Sequence, residues 1–107
     1  MNYELNDIRS FVKIAELGSF HEAADALHLS QPALSRRMKK LEDGLGTALL
    51  DRTTRRVSLT SVGRDFLPKA RRLLDDFDDS ILNIRELAER QSGRVTLACI
   101  PTAAFYF

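Results

Sequence analysis

Apolar residues recur at helical spacing in three successive segments at the start of the chain. The first segment predicts a helix from about Asn6 to Leu17 that ends at Gly18. The second begins near Phe20 and the third follows Ser30. We therefore expect three short helices around one core. The apolar positions are Leu5, Ile8, Phe11, Val12 and Ala15, then Phe20, Ala23, Ala24 and Leu27, then Leu34, Met38, Leu41 and Leu45.

The second and third helices are separated only by residues 28–30. Ser19 and Glu22 have the S-x-x-E spacing of a capping box, and Ser30 is placed to cap the third helix. Pro32 falls in the first turn of that helix, where its missing N–H costs nothing. Two capped helices with a short turn are typical of a helix-turn-helix, whose second helix lies in the major groove of DNA.

An alternating pattern replaces the helical one after residue 48. Val57 and Leu59 alternate with Ser58 and Thr60, and a basic turn precedes them. Two short strands joined by this turn predict a β-hairpin, which is the wing of a winged helix-turn-helix.

A long helix is predicted from Thr60, whose hydroxyl can cap it, to about Gln91. Roughly 32 residues give a length of about 48 Å, which is too long to bury against so small a domain. Apolar side chains recur along it at steps of four and three, a spacing that favours pairing with a second copy of the helix. These residues are Val62, Phe66, Ala70, Leu73, Phe77, Ile81, Ile84 and Ala88.

The expected fold is mainly α: a winged helix-turn-helix of three helices and a β-hairpin, followed by a long dimerisation helix. We expect a DNA-binding domain at 1–60, a linker and dimerisation helix at 61–91, and the start of a truncated domain at 92–107, which the family resemblance given below implies to be an effector-binding domain. Residues 94–100 are typical of a buried strand, and a lone strand is not stable in water.

Charge and composition narrow the function. The 107 residues carry a net charge of only +1, but residues 30–60 hold seven basic and three acidic side chains. Such a local basic excess favours a nucleic-acid partner. A single cysteine excludes an intrachain disulfide, and neither a signal peptide nor a membrane-spanning apolar stretch is present, so we expect a cytoplasmic protein with no membrane partner.

Catalysis and metal binding have no support in the sequence. There is no nucleophile and base pair and no glycine-rich phosphate loop, so we do not expect an enzyme. His21, His28 and Cys99 share no face, and the aspartates at 75–79 fan across the outside of a helix, so we expect neither a metal site nor a cofactor in this chain.

Short motifs along residues 5–91 resemble the N-terminal part of LysR-type transcriptional regulators. Ser-Gln-Pro-Ala-Leu-Ser at 30–35 is the most specific of them, and Gly18-Ser19-Phe20, Ala23-Ala24, Leu41-Glu42, Leu45-Gly46, Asp51-Arg52 and Leu59-Thr60 also match. Leu50, where the family often has Phe, and the doubly basic wing tip depart mildly from the pattern. The resemblance implies a homodimer through antiparallel linker helices, or a tetramer when full length, and a small-molecule effector for the full-length protein.

The resemblance also implies roles for individual residues. Base edges in the major groove would be read by Gln31, Pro32, Ser35 and Arg36. A glutamine amide can pair with adenine and an arginine fork with guanine. The wing residue matching the family's minor-groove arginine is Arg55, while Arg56 either shares that role or faces solvent. The dimer seam would contain Phe66, Leu73, Phe77, Ile81 and Ile84.

Six residues are candidates for contacts with DNA phosphates. The candidates are Ser19, Ser30, Arg37, Lys39, Lys40 and Arg52. The two serines are caps first. Arg37, Lys39 and Lys40 contact either phosphates or water. Arg52 is either a phosphate contact or a salt-bridge residue of the hairpin.

Together these features predict a sequence-specific regulator that binds an interrupted palindrome in double-stranded DNA as a dimer. A protein-interaction module that has lost DNA binding is one alternative, which a loss of salt-sensitive DNA binding would reveal. A small enzyme is another, which convergent acids, bases or metal ligands in a pocket would support.

Overall fold

The computed structural model describes residues 3–52 and 56–92. Its elements, in chain order, are α1 (Leu5–Leu17), α2 (Phe20–Leu27), α3 (Gln31–Leu45), β1 (Leu50–Asp51), β2 (Ser58–Leu59) and α4 (Ser61–Ser92). This is the predicted order of three helices, a hairpin and a long helix. The strand and cap predicted beyond residue 92, with Cys99, and the wing-tip residue Arg55 lie outside the described residues.

The chain divides into two compact units, Met1–Leu74 and Asp75–Phe107. The division falls inside α4, whereas the sequence placed a boundary at residue 60. The first part of α4 belongs to the N-terminal unit because Ala70 and Leu74 are buried in its core. Phe66 also packs there, with its ring centroid 5.5 Å from that of Phe11.

The core of the N-terminal unit lies where α1, α2 and α3 pack on one another. Apolar side chains at most of the predicted helical positions form it, together with Ile14 of α1, which the predicted stripe did not include, and Leu49 from the segment before the wing. Leu45 is an exception, because at the last turn of α3 it remains 37% exposed. The fully buried large apolar side chains are Phe11, Ile14, Leu34, Met38, Leu41 and Leu49.

Serine caps start α2 and α3 as predicted. The Ser19 hydroxyl accepts a hydrogen bond from the Glu22 amide at 3.1 Å, and the Ser30 hydroxyl accepts one from the Ala33 amide at 3.2 Å. The reciprocal half of the capping box at Ser19 is not formed. Between the two helices His28 has a left-handed backbone, with φ of 59°, a conformation in which histidine is enriched over most residues. It ends α2 and leaves α3 free to start in a new direction.

The wing is joined tightly to the start of α4. Leu50 pairs with Leu59 in the antiparallel hairpin. The Thr60 hydroxyl donates to the Ala48 carbonyl at 2.7 Å and accepts from the Gly63 amide at 3.0 Å, which confirms Thr60 as the cap of α4. A β-carbon at Gly63 would collide with the backbone carbonyl of Leu49, so only glycine lets the helix approach this closely.

No helix in the described part of the chain is both long and apolar enough to cross a membrane.

Candidate nucleic-acid interface

The first two turns of α3 present a polar face to solvent. Gln31, Pro32, Ser35 and Arg36 are all exposed. Leu34 and Met38, on the other side of the helix, are fully buried and fix α3 against the core. The core therefore holds the helix rigidly while the four candidate base-reading side chains remain available.

The basic side chains of α3 differ in their partners. Lys40 lies 3.2 Å from Asp7, and the Arg37 guanidinium lies 3.7 Å from the same carboxylate and 3.4 Å from the Ser10 hydroxyl. Because Asp7 is buried, these two cations bind α3 to α1. Their geometry favours a role in holding the fold over a role on phosphates.

Two further cations of α3 are more exposed. Lys39 makes an ion pair of 3.8 Å with Asp43 one turn later, and both side chains are largely in solvent, where such pairs are weak. Arg36 has no ion pair with any carboxylate in residues 3–52 or 56–92. On the exposed face of α3, Arg36 is thus the basic side chain whose charge is not paired with any acid in the described residues.

A buried carboxylate connects α3 to the wing. Glu42 accepts hydrogen bonds from the backbone amides of Leu49 at 2.8 Å and Leu50 at 3.0 Å, and it pairs with Arg52 at 3.0 Å. The Arg52 guanidinium also lies 5.5 Å from the centre of the Phe20 ring, in cation–π range. The sequence left open whether Arg52 contacts a phosphate or is a salt-bridge residue of the hairpin. The structure shows a salt bridge, and its partner lies on α3.

The sequence analysis missed the roles of Asp7 and Glu42. Each is an acid at a core position, since Asp7 lies four residues before Phe11 and Glu42 four residues after Met38. That spacing was the available signal. A carboxylate on an apolar helix face must have partners, because burying it unpaired is costly.

A surface cleft of about 460 Å³ lies where the helix-turn-helix meets the wing. It brings Ser19, at the start of α2, together with Gln31 and the exposed wing residue Arg56. The amide nitrogen of Gln31 lies 3.1 Å from Nδ1 of His21, which also lines the cleft. Ser30 caps the neighbouring helix α3. Backbone N–H groups at the starts of α2 and α3 favour anions.

The predicted dimer seam is partly exposed. Phe66 is partly buried against the core of the N-terminal unit, whereas Leu73, in the same unit, is 47% exposed. In the second unit, Phe77, Ile81 and Ile84 are 43%, 39% and 62% exposed. The apolar side chains at these predicted seam positions are thus accessible on the described helix.

The arrangement contains no group of three or more His, Cys, Asp or Glu side chains placed to hold a metal, within the residues that the structure describes.

Comparison with known proteins decides the family. Residues 5–64 match the model of bacterial regulatory helix-turn-helix proteins of the lysR family. The chain belongs to the LysR family. It is 50% identical over 107 residues to the HTH-type transcriptional regulator YbhD of Escherichia coli strain K12, covering all of this chain and 34% of that protein.

Solved structures of LysR-family members have the same fold. The DNA-binding domain of BenM, in complex with catB site 1 DNA, is 40% identical and has a TM-score of 0.77, over 79% of this chain and 96% of that one. Vibrio fischeri DarR in complex with DNA is 35% identical with a TM-score of 0.79, over 83% of this chain and 30% of that one. YbhD is named as an HTH-type transcriptional regulator. The chain spans about a third of the length of YbhD.

Proposed function

We propose that this chain is the DNA-binding part of a LysR-type transcriptional regulator that recognises a specific double-stranded sequence. The observation that carries the proposal is the exposed start of α3, where Gln31, Pro32, Ser35 and Arg36 face solvent on a helix fixed by the core. Arg36 can read guanine with its fork, and Gln31 can pair with adenine. DNA complexes of BenM and DarR, which share the fold, support this assignment.

The wing supplies a second contact in this proposal. Arg56 is exposed at the hairpin and lines the same cleft as Ser19 and Gln31. A wing arginine in a narrow A·T-rich minor groove meets concentrated negative potential. We assign that insertion to Arg55, with Arg56 beside it, and phosphate contacts to the amide-rich helix starts capped by Ser19 and Ser30 and to Lys39.

The active unit in this proposal is a homodimer. The exposed apolar side chains on the second half of α4 cover one another when two copies pair, and two joined recognition helices then read an interrupted palindrome. In the longer protein a small molecule would regulate this binding. Because the bound DNA would be a promoter, we expect the protein to act in the cytoplasm. No cofactor is needed for the binding itself.

Replacement of Arg36 by alanine tests the base contact. Arg36→Ala is expected to weaken binding to the selected sequence by about 1–3 kcal/mol and to weaken binding to scrambled DNA much less. Lys39→Ala, on the same helix but on phosphate in our proposal, is expected to weaken both equally and to lower the salt dependence by about one contact. Titration of each variant with both duplexes measures the ratio. Equal losses on both duplexes for Arg36→Ala would make it a phosphate contact, and salt-insensitive binding would favour the interaction-module alternative.

A further inference from the structure

His21 has polar contacts on both sides of its ring, one within α2 and one with α3. Its Nε2 atom lies 3.6 Å from a carboxylate oxygen of Asp25, one turn later in α2. Its Nδ1 atom lies 3.1 Å from the amide nitrogen of Gln31, the first residue of α3. The ring thus stands between an acid and a candidate base-reading side chain.

The direction of these contacts follows from hydrogen-bond chemistry. The amide nitrogen of a glutamine side chain can only donate, so Nδ1 of His21 accepts. A neutral ring with an accepting Nδ1 carries its proton on Nε2, which faces the Asp25 carboxylate. Asp25 therefore favours the tautomer that receives the Gln31 amide.

This contact sets which amide atoms of Gln31 remain for DNA. With one N–H directed to the histidine, the amide oxygen and the second N–H are left for other partners. That pair is what adenine requires, because its N6 amino group donates and its N7 accepts. If the amide were free to turn, the same side chain could offer donors or acceptors in either order and would discriminate less.

We infer that His21 is a positioning residue for specificity, which holds the Gln31 amide in the orientation that selects adenine. The inference rests on the proposed function, since it assumes that Gln31 reads a base. An exposed glutamine loses side-chain freedom on binding, and a contact that orders it beforehand recovers part of that loss. The expected gain in preference for adenine at one position is about 2- to 10-fold.

Two shape-matched variants separate the ring's two contacts. His21→Asn keeps an acceptor close to the position of Nδ1, whereas His21→Gln reaches toward the position of Nε2 and lacks that acceptor. Because the His21 side chain is 70% exposed, neither change disturbs the core, and urea unfolding of each variant checks this.

The experiment is selection from a library of random double-stranded DNA by the 107-residue chain and its variants. Gln31→Ala first identifies the base position that Gln31 reads, as the one position where preference disappears. At that position His21→Gln is expected to lower the adenine preference about 2- to 10-fold, with all other positions unchanged, and His21→Asn to retain most of it.

Three results would overturn the inference, and they are distinguishable. If Gln31→Ala removes a preference but His21→Gln leaves the profile unchanged, Gln31 reads its base without His21. If His21→Gln weakens binding equally at every position, His21 contacts the DNA backbone. If the wild-type chain selects no sequence, or no position depends on Gln31, the proposed function fails first and the inference fails with it.

Discussion

The two units of the chain differ in how they cover their apolar side chains. In the N-terminal unit Phe11, Leu34 and Leu41 are fully buried by contacts within the chain itself. In the second unit Phe77 and Ile84, on a helix with the same apolar spacing, are 43% and 62% exposed. The core of the first unit is therefore formed within the chain, whereas the apolar side chains described in the second unit are exposed and, in our proposal, are covered by a second copy.

The N-terminal unit also pairs its buried polar groups within the chain. Buried carboxylates in the N-terminal unit, Asp7 and Glu42, each have charged and backbone partners. No side-chain polar atom buried in the described residues lacks a hydrogen bond. Such a network specifies one arrangement of helices and wing, because a partly satisfied one would be unstable. A rigid reader joined to a dimerisation helix is the account that these differences support.

Removal of the Glu42 carboxylate is expected to have the largest effect on the N-terminal unit. Glu42→Ala leaves the amides of Leu49 and Leu50 and the Arg52 guanidinium without their acceptor. We expect the free energy of unfolding to fall by about 3–5 kcal/mol, the usual result of removing one partner of a buried ion pair. Urea unfolding measures it.

Asp43→Ala is the matched control, since Asp43 is the next residue on α3 and its pair with Lys39 is exposed. It is expected to change stability by less than about 1 kcal/mol. Similar losses for the two variants would contradict the assignment of Glu42 as the link between α3 and the wing.

In the second unit, replacement of a seam residue is expected to weaken dimerisation. Burying the exposed part of Phe77 in both copies of a dimer contributes on the order of 3 kcal/mol, so Phe77→Asp should raise the dimer dissociation constant about 100-fold. Introducing a charge into the seam adds a desolvation cost. Sedimentation equilibrium measures the constant.

Leu82→Asp is the control for Phe77. Leu82 is 54% exposed but lies about 140° around the helix from Phe77. The Leu82 variant should remain a dimer. If it dissociates as readily as the Phe77 variant, the seam lies on a different face of α4.

A smaller effect is expected where α4 meets the wing. Gly63→Ala would place a methyl group against the backbone carbonyl of Leu49, which cannot move aside without shifting the strand. We expect a loss of about 1–3 kcal/mol. The three atoms nearest to a β-carbon at Gly44 all belong to the Tyr3 side chain and none to the backbone, and alanine favours a helix by about 1 kcal/mol over glycine, so Gly44→Ala should lose less stability than Gly63→Ala. Thermal unfolding of both variants gives the comparison, and equal destabilisation would mean that the close approach at Gly63 is not specific.

Periodicity and capping residues predicted most of the fold. Ser19, Ser30 and Thr60 cap the helices that the sequence assigned to them, and the wing forms where the spacing changes. These features are local, so a single sequence contains the information for them. The exposed face of α3 was predictable for the same reason.

Features that depend on distant contacts were not predicted. The sequence pattern assigned Phe66 only to the dimer seam and did not indicate its contact with Phe11, which tertiary packing creates. The structural roles of Asp7 and Glu42 were not predicted, because their partners in α3 and before β1 are brought near by the fold. His28 ends α2 with a left-handed backbone, which the sequence pattern did not predict.

The number of chains on one DNA duplex tests the account most directly. Native mass spectrometry of the 107-residue chain with a selected interrupted palindrome should give two chains per duplex for the wild type. Phe77→Asp should give mostly one chain at the same concentration, with affinity reduced to that of a single half-site. A wild-type complex containing one chain, or a Phe77 variant that binds the palindrome in pairs with undiminished affinity, would contradict the division into a DNA-reading unit and a dimerisation helix.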